Sequence, residues 1–243
     1  MSLLKETVDM LLPRNCCVCG GFPDADGKIP YDVPKDFHIC FKCLSQLVPL
    51  PSEKRFLTCL SEPYKDDPIP GLVLYMPFPY NGFFSKAVPQ MKFRSHPELA
   101  RFAGVILGSI MAKDGIGADV VTPVPLAASR LKERGYNQAG LIACEAARVC
   151  DLPYCESVLV RIRDTRRQTG IEDNAERSMN VQGAFSVYDD FVAEGLTVLL
   201  IDDVATTGNT LHEAALALYE AGAAKVICAA CAGNRTVLNE ESC

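Results

Sequence analysis

Short apolar runs alternate with amphipathic stretches along most of the chain after residue 71. Apolar runs of strand length occupy residues 72–78, 118–125, 157–163, 197–201 and 225–231. Apolar side chains at three- and four-residue spacing predict helices over residues 97–113, 138–150 and 209–222. Because strands and helices alternate, the pattern predicts an α/β fold with a parallel sheet and helices on both of its faces.

The first 65 residues have a different character, since proline, glycine, aspartate and cysteine are frequent among them. Residues 61–71 have the composition of a linker. We therefore expect a small module over residues 1–65 and an α/β domain over residues 66–243. Apolar residues at helical spacing within residues 3–12 predict a short amphipathic helix, packed on the protein rather than docked on a membrane.

The net charge of −6 argues against a protein that binds nucleic acid over its whole surface. Basic side chains are nevertheless concentrated between Arg130 and Arg167, which gives a local patch suited to phosphate groups. No run of 18 apolar residues is present, and the N-terminus lacks the features of a signal peptide. These observations predict a cytoplasmic protein without a transmembrane segment.

Four of the 12 cysteines form two Cys-x-x-Cys pairs, Cys16 with Cys19 and Cys40 with Cys43. Two thiolates three residues apart in a tight turn can bind one metal ion, and a second pair completes a tetrahedron. Paired motifs separated by about twenty residues are typical of zinc ribbons. We therefore predict that these four cysteines hold a structural zinc ion, in a zinc-ribbon module at the N-terminal end of the chain.

Three further cysteines could be mistaken for metal ligands. Cys17 is a neighbour that could replace Cys16 on the zinc ion. Cys228 and Cys231 form another Cys-x-x-Cys pair, but they lie in a predicted strand. Residues three apart on a strand face opposite sides of the sheet. This last pair is therefore predicted to bind no metal and to carry no redox function.

Residues 198–210, VLLIDDVATTGNT, join a buried strand to two acids and a hydroxyl-rich loop. Ligands of open α/β sheets bind at the carboxyl ends of strands, where Asp202 and Asp203 are expected. The loop leads into a helix N-terminus, which offers N–H groups and a partial positive charge to a phosphate. A sugar phosphate suits both features, with the acids on ribose hydroxyls and the loop on the 5′-phosphate. The loop residues are Val204, Ala205, Thr206, Thr207, Gly208, Asn209 and Thr210.

This segment resembles the phosphoribosyl-diphosphate (PRPP) signature of type I phosphoribosyltransferases. Other motifs are similar to those of the competence protein ComF family, and with the zinc ribbon they extend the resemblance over nearly the whole chain. These motifs are Pro-Val-Pro at residues 123–125, Arg-Gly-Tyr-Asn-Gln at 134–138, Arg-x-Arg at 161–163, Gln168, and Arg-x-x-Asn-Val at 177–181. Relatives often carry a further cysteine pair before the core, where this chain has only Cys59, so a second zinc ion is not expected.

The resemblance implies a type I phosphoribosyltransferase-like fold that binds PRPP with Mg²⁺. It also implies work on incoming single-stranded DNA during natural transformation and DNA uptake, beside a helicase-like partner. The residues expected at the diphosphate are Arg130, Lys132, Arg134, Asn137, Gln138, Arg163 and Arg177. In an active enzyme, Asp202, Asp203, Arg134 and Arg163 would be the catalytic residues. A place on the helix surface or in helix capping is the alternative role for Arg134, Asn137 and Gln138.

The residues leave three functions open. The chain could be a transferase that moves the phosphoribosyl group to an unidentified base or amine. It could bind PRPP or handle DNA without turnover, or it could be a non-catalytic zinc-ribbon adaptor. The acids and the Thr-Thr-Gly loop argue against the adaptor. No general base for an acceptor is evident, because His212 is expected on the surface of the helix that follows the motif.

Overall fold

The computed structural model describes residues 15–22, 37–57, 72–93, 96–163 and 183–233. Its first half contains helix α1 (Phe41–Leu44), a 3₁₀ turn (Ser52–Lys54), strands β1 (Phe56–Leu57), β2 (Val73–Tyr75) and β3 (Phe78–Pro79), and helices α2 (Gly82–Phe93) and α3 (Pro97–Lys113). The rest contains β4 (Val120–Pro123), α4 (Ala128–Arg134), α5 (Gln138–Cys150), β5 (Leu159–Arg161), β6 (Phe185–Val187), β7 (Thr197–Ala205), α6 (Asn209–Glu220) and β8 (Lys225–Gly233).

The main sheet has the strand order β1–β2–β8–β7–β4, and β3 also pairs with β8. All of its pairs are parallel except that of β1 with β2. The predicted α/β fold with a mostly parallel sheet is therefore confirmed. The strand predicted at residues 157–163 differs from the expectation, because β5 pairs antiparallel with β6 in a separate sheet of two strands.

Side chains of β7 alternate between two apolar cores, one on each face of the sheet. Leu199 and Ile201 belong to the core formed with α2, α3 and α5, whereas Val198 and Leu200 belong to the core formed with α6. The same alternation places Cys228 and Cys231 of β8 in different cores. The prediction that these two cysteines face opposite sides of the sheet is confirmed.

Two glycines let α3 approach α5 closely. A Cβ atom at Gly104 would lie 2.5 Å from the carbonyl oxygen of Ile142, and one at Gly108 would lie 2.8 Å from that of Ala146. These distances are shorter than van der Waals contact, so only glycine fits at the two positions. This packing fixes α5, whose first residues line the candidate site.

The segment around the cysteine pairs packs on the body of the protein through α2 and α3. The Phe37 and Phe102 rings meet edge to face, with centroids 5.4 Å apart. Lys86 of α2 donates a hydrogen bond to the Gln46 side chain at 3.2 Å. The helix expected within residues 3–12 and the linker at 61–71 lie outside the described residues, so the division into residues 1–65 and 66–243 remains a prediction.

None of the helices in the described part of the chain is long and apolar enough to cross a membrane.

Candidate functional site

The two acids of the 198–210 motif lie inside a strand rather than after it. β7 was expected to end at Ile201, but it continues to Ala205 because Asp202, Val204 and Ala205 still pair with β8. Adjacent residues on a strand face opposite sides of the sheet. Asp203 therefore faces the side of Leu199 and Ile201, where α2 lies, and Asp202 faces the side of α6.

Asp203 is paired with Lys92, which lies in the last turn of α2. The Nζ atom of Lys92 lies 2.8 Å from Oδ2 and 3.1 Å from Oδ1 of Asp203. Burial alone would lower the pKa of Lys92, but the attraction of the Asp203 carboxylate outweighs it and raises that pKa above its ordinary value. The two side chains therefore form a charged pair with little exposure to solvent.

Asp202 is in a different electrostatic environment. Its Oδ1 accepts a hydrogen bond from the backbone N–H of Asp203 at 2.8 Å. Burial, together with the neighbouring Asp203 charge, raises the pKa of Asp202 to about 7. Lys92 and Arg161 lower this pKa, but their attraction does not offset the first two effects. Asp202 therefore titrates near neutral pH, unlike an ordinary surface carboxylate.

The loop after β7 forms a cradle at the N-terminus of α6. Gly208 has φ +80°, a left-handed conformation that favours glycine, and no side chain caps this helix. The first N–H groups of a helix have no partners within the helix and can bind an anion. Asn209 is buried in this cradle with 4% of its surface exposed, and neither of its amide atoms has a hydrogen-bond partner in the described structure.

The opposite wall comes from the loop after β4 and from the start of α5. Asn137 caps α5, because its Oδ1 accepts the N–H of Ala139 at 3.2 Å, and its Nδ2 donates to the carbonyl of Val124 at 3.0 Å. The capping alternative therefore holds for Asn137. Gln138 is buried beside it, and its Nε2 atom has no hydrogen-bond partner within the described residues. An unpaired buried donor favours a ligand that brings an acceptor.

These elements enclose a cavity of about 340 Å³ at the carboxyl ends of β4 and β7. Of the residues predicted at the diphosphate, the cavity brings together Arg130, Arg134, Asn137 and Gln138 with both acids. The loop residues Val204, Thr206, Thr207, Asn209 and Thr210 also line it, and Ala205 and Gly208 complete the adjoining cradle.

Three other predicted residues do not line this cavity. Lys132 is exposed on α4, and Arg163 is exposed just after β5. Arg177 lies outside the described residues. Arg161 also lines the cavity, as its place in the predicted basic patch and in the Arg-x-Arg motif allowed. Lys92 lines the cavity too, although no sequence pattern gave it a role in binding.

His212 does not lie on the surface, so that expectation was wrong. Only 5% of its surface is exposed, and its neighbour Glu213 is also buried. The reason is that α6 is covered by the small β5–β6 sheet as well as by β7 and β8. Glu213 accepts the backbone N–H of Gly183 at 2.9 Å and so fixes the chain just before β6. Because His212 does not line the cavity, it is not placed to act as a base on a ligand bound there.

The predicted cysteines converge at a second site. The sulfur atoms of Cys16, Cys19, Cys40 and Cys43 all lie within 4.8 Å of one another. A tetrahedral zinc ion with Zn–S bonds of about 2.3 Å needs sulfurs roughly 3.8 Å apart. The Cys19 and Cys40 sulfurs are 3.7 Å apart, so the four thiols fit zinc.

Burial acts on all of these thiols, but backbone N–H donors, with that of Cys40 foremost, lower the pKa of Cys16 to about 7. Burial raises the pKa of Cys17 to about 12, and it also raises the pKa values of Cys40 and Cys43. The distances between the sulfur atoms, rather than these pKa values, therefore identify the ligand set as the cluster of four without Cys17.

The acids of the cavity fit a magnesium ion less well than the four cysteines fit zinc. Mg²⁺ prefers carboxylate and substrate oxygens. Lys92 already occupies both oxygens of Asp203. One oxygen of Asp202 accepts a backbone N–H. The remaining Asp202 oxygen and the oxygens of a bound ligand are the donors that suit the ion.

Comparisons with known proteins agree with this geometry. Residues 133–241 match the family model described as "Phosphoribosyl transferase domain". The chain is 34% identical over 111 residues to Competence protein F of Haemophilus influenzae, covering 44% of this chain and 47% of the relative. It is 32% identical over 152 residues to DNA utilization protein YhgH of Salmonella typhi, covering 60% of this chain and 66% of the relative. The alignments thus span about half to two thirds of these curated relatives.

A solved structure with a similar arrangement is the glutamine phosphoribosylpyrophosphate (PRPP) amidotransferase from B. subtilis, complexed with ADP and GMP. It is 26% identical to the matched part, with a TM-score of 0.41, and the match covers 59% of this chain and 30% of that chain.

Proposed function

From its phosphoribosyl transferase domain and its homology to ComF-type competence proteins, we propose that this protein binds PRPP in the cavity at the end of β7. The observation that carries the proposal is the composition of this one cavity. It combines two carboxyl groups, a helix N-terminus with its hydroxyl-rich loop, and three arginines. A ribose that bears a phosphate at one end and a diphosphate at the other has groups that match each of these features.

Each part of the cavity has a role in this proposal. The cradle of residues 205–210 binds the 5′-phosphate through backbone N–H groups and the threonine hydroxyls. The Asn209 amide, whose atoms have no hydrogen-bond partner among the described residues, gives that phosphate a further hydrogen bond. Asp202 accepts hydrogen bonds from the ribose hydroxyls. Arg130 and Arg134 face the diphosphate, and Gln138 donates to one of its oxygens.

Arg134 is held in place for this role by an aromatic ring. Its guanidinium carbon lies 5.7 Å from the centre of the Phe93 ring, a cation–π contact that fixes the side chain over the cavity. If the protein turns over, Arg134 stabilises the departing pyrophosphate as charge develops on it. Mg²⁺ bound with the ligand would supply further neutralisation of that charge.

Turnover and simple binding are two versions of this function. A transferase would break the bond between C1 of the ribose and the diphosphate, and an unidentified base or amine would take the ribosyl group. A binding protein would keep the same contacts and release PRPP unchanged. Release of pyrophosphate in the presence of candidate acceptors distinguishes the two versions.

A DNA-related role is the broader context of the proposal. One relative is named a competence protein and another a DNA utilization protein. We extend this role to the present chain as handling of single-stranded DNA in natural transformation, beside a helicase-like partner. Arginine side chains suit a phosphate backbone, since Arg161 lines the cavity and Arg163, two residues further along the chain, is exposed.

The experiment that tests the proposal is calorimetric titration of Mg²⁺–PRPP into the zinc-loaded protein and into an Asp202→Asn variant. We expect micromolar binding to the wild type and a loss of at least about tenfold in the variant, because one charge-assisted hydrogen-bond acceptor is removed. Ribose 5-phosphate, which lacks the diphosphate, should bind more weakly. If the folded wild type binds neither compound, the proposal is wrong and the adaptor function gains support.

A further inference from the structure

Lys92 contacts Asp203 in the way that a metal ion contacts a bidentate carboxylate. Its Nζ atom lies within 3.1 Å of Oδ1 and 2.8 Å of Oδ2. The Asp203 side chain is 9% exposed and the Lys92 side chain 28% exposed. Lys92 and Asp203 both line the cavity, so this charged pair borders the space that a ligand would fill.

The position of Lys92 is fixed by contacts on both sides of it in the chain. The hydroxyl group of Tyr136 donates a 2.6 Å hydrogen bond to the carbonyl oxygen of Met91. The ring of Phe93 supports the guanidinium group of Arg134. Three consecutive residues of α2 thus each contact a different part of the site. Lys92 is consequently placed by the fold, unlike a surface lysine that samples many conformations.

We propose that Lys92 is a built-in cation that takes the place of a divalent metal ion at Asp203. A positive charge that already lies on both carboxylate oxygens repels a second cation and blocks its ligand atoms. Strand alternation prevents Asp202 from sharing this lysine equally, because Asp202 faces the other side of the sheet. The site therefore has one acid that is permanently neutralised and one that remains available.

This inference deepens the proposed function and rests on it only for the ligand. If PRPP binds, its metal ion is held by Asp202 and by the diphosphate, and Asp203 does not contribute. Binding of PRPP should therefore depend less on Mg²⁺ than it would in a site where both acids need a metal ion.

The first test measures metal binding without PRPP. Mn²⁺ is titrated into the zinc-loaded protein and its free fraction is read by electron paramagnetic resonance. The wild type is compared with Lys92→Met and with Lys92→Met/Asp203→Asn. We expect Lys92→Met to bind Mn²⁺ at least about tenfold more tightly than the wild type, because it exposes an uncompensated carboxylate. The second change should abolish that gain.

A matched control lies on the same helix. Lys86→Met removes an ammonium group that contacts Gln46 instead of the cavity, and it should leave Mn²⁺ binding unchanged. Circular dichroism establishes that each variant is folded, and Lys92→Gln replaces Lys92→Met if the latter is not. Equal Mn²⁺ affinity of the wild type and a folded Lys92 variant would overturn the proposal.

The second test repeats the PRPP titration with Mg²⁺ and in buffer from which divalent cations have been removed on a chelating resin, so that the protein keeps its zinc ion. For the wild type we expect the two dissociation constants to agree within about threefold, and for Lys92→Met to differ by about tenfold or more. Equal ratios in the two proteins would contradict the proposal. Failure of every protein to bind PRPP would refute the proposed ligand, whereas the Mn²⁺ titration would still decide the role of Lys92.

Discussion

The cysteine cluster and the cavity hold their polar atoms in place by different means. The four sulfurs come from short turns and from α1, a helix of four residues, and local backbone hydrogen bonds such as that from Cys16 to Gly21 shape these turns. Asp202 and Asp203 of the cavity lie in β7, and residues 198–201 of the same strand are fully buried between the two apolar cores. The first site is therefore built from local turns whose two cysteine pairs the proposed zinc ion would join, whereas the geometry of the second is preset by the sheet.

The largest effect on local stability is expected from removing one of the proposed zinc ligands. Cys43→Ser should release the zinc ion, because a structural zinc site contributes much of the folding free energy of a small module. Hydrogen exchange should accelerate by about 100-fold or more across residues 37–57 and remain unchanged in β7 and β8. Mass spectrometry reads both the zinc content and the exchange.

Cys144→Ser is the matched control, since Cys144 is exposed on α5 and lies apart from the cluster. It should retain zinc and wild-type exchange. Uniform loss of protection throughout Cys43→Ser, including β7 and β8, would show that the two sites do not differ in the way described.

A smaller loss of stability is expected from Gly104→Val, which disturbs the packing of the helices that lie on the main sheet. A side chain at this position collides with the backbone of Ile142 and forces α3 away from α5. The free energy of unfolding should fall by about 3 kcal/mol, as in other overpacked cores. Urea denaturation measures this change, and Gly117→Val is the control, because a Cβ at Gly117 meets no atom within 4 Å. A change of similar size in the control would contradict the packing argument.

The smallest change in stability is expected from Asp202→Asn. Unlike the two substitutions above, it should increase the free energy of unfolding. Burial raises the pKa of Asp202 from an ordinary value of 3.8 to about 7 in the folded protein. The folded state thus binds this proton more tightly than the unfolded state, and stability falls as pH rises between these two values. Asparagine carries no charge at any pH, so the variant avoids this loss.

Asp202→Asn should therefore match the wild type near pH 4 and exceed its free energy of unfolding by roughly 1–3 kcal/mol at pH 8. Urea denaturation at a series of pH values measures the difference. A difference that is independent of pH would show that Asp202 does not titrate near neutrality. Together with the expected loss of PRPP affinity, increased stability would mark Asp202 as a residue kept for its site at the expense of the fold.

Helices and strands with a regular pattern of apolar core positions could be predicted from the sequence. Elements that depend on contacts with distant parts of the chain could not. The helices at Pro97–Lys113 and Gln138–Cys150 were predicted with the observed bounds. Helix α2 was not predicted, because Pro89 lies within it and proline usually interrupts a helix. Strand β7 was predicted too short, since two adjacent acids are typical of a loop and only their pairing with β8 keeps them extended.

The same limit applies to the sites. The cysteine cluster could be predicted completely, because two local spacings define it. The loop and the acids could also be predicted, since they are contiguous in the chain. Lys92 could not, because 111 residues separate it from Asp203 and no local pattern marks the pair. Contacts of this kind depend on how helices pack, which a single sequence does not specify.

The placement of Asp202 and Asp203 on opposite sides of one strand also gives the cavity a handedness. A sugar that rests on the edge of the sheet meets a titrating carboxyl group on one side and an ammonium-paired carboxylate on the other. The N–H cradle before α6 supplies a third contact of yet another kind. Three unlike contacts at fixed positions suffice to distinguish a chiral molecule from its mirror image. For the proposed ligand, two adjacent aspartates of one strand would thus contribute to stereoselective binding.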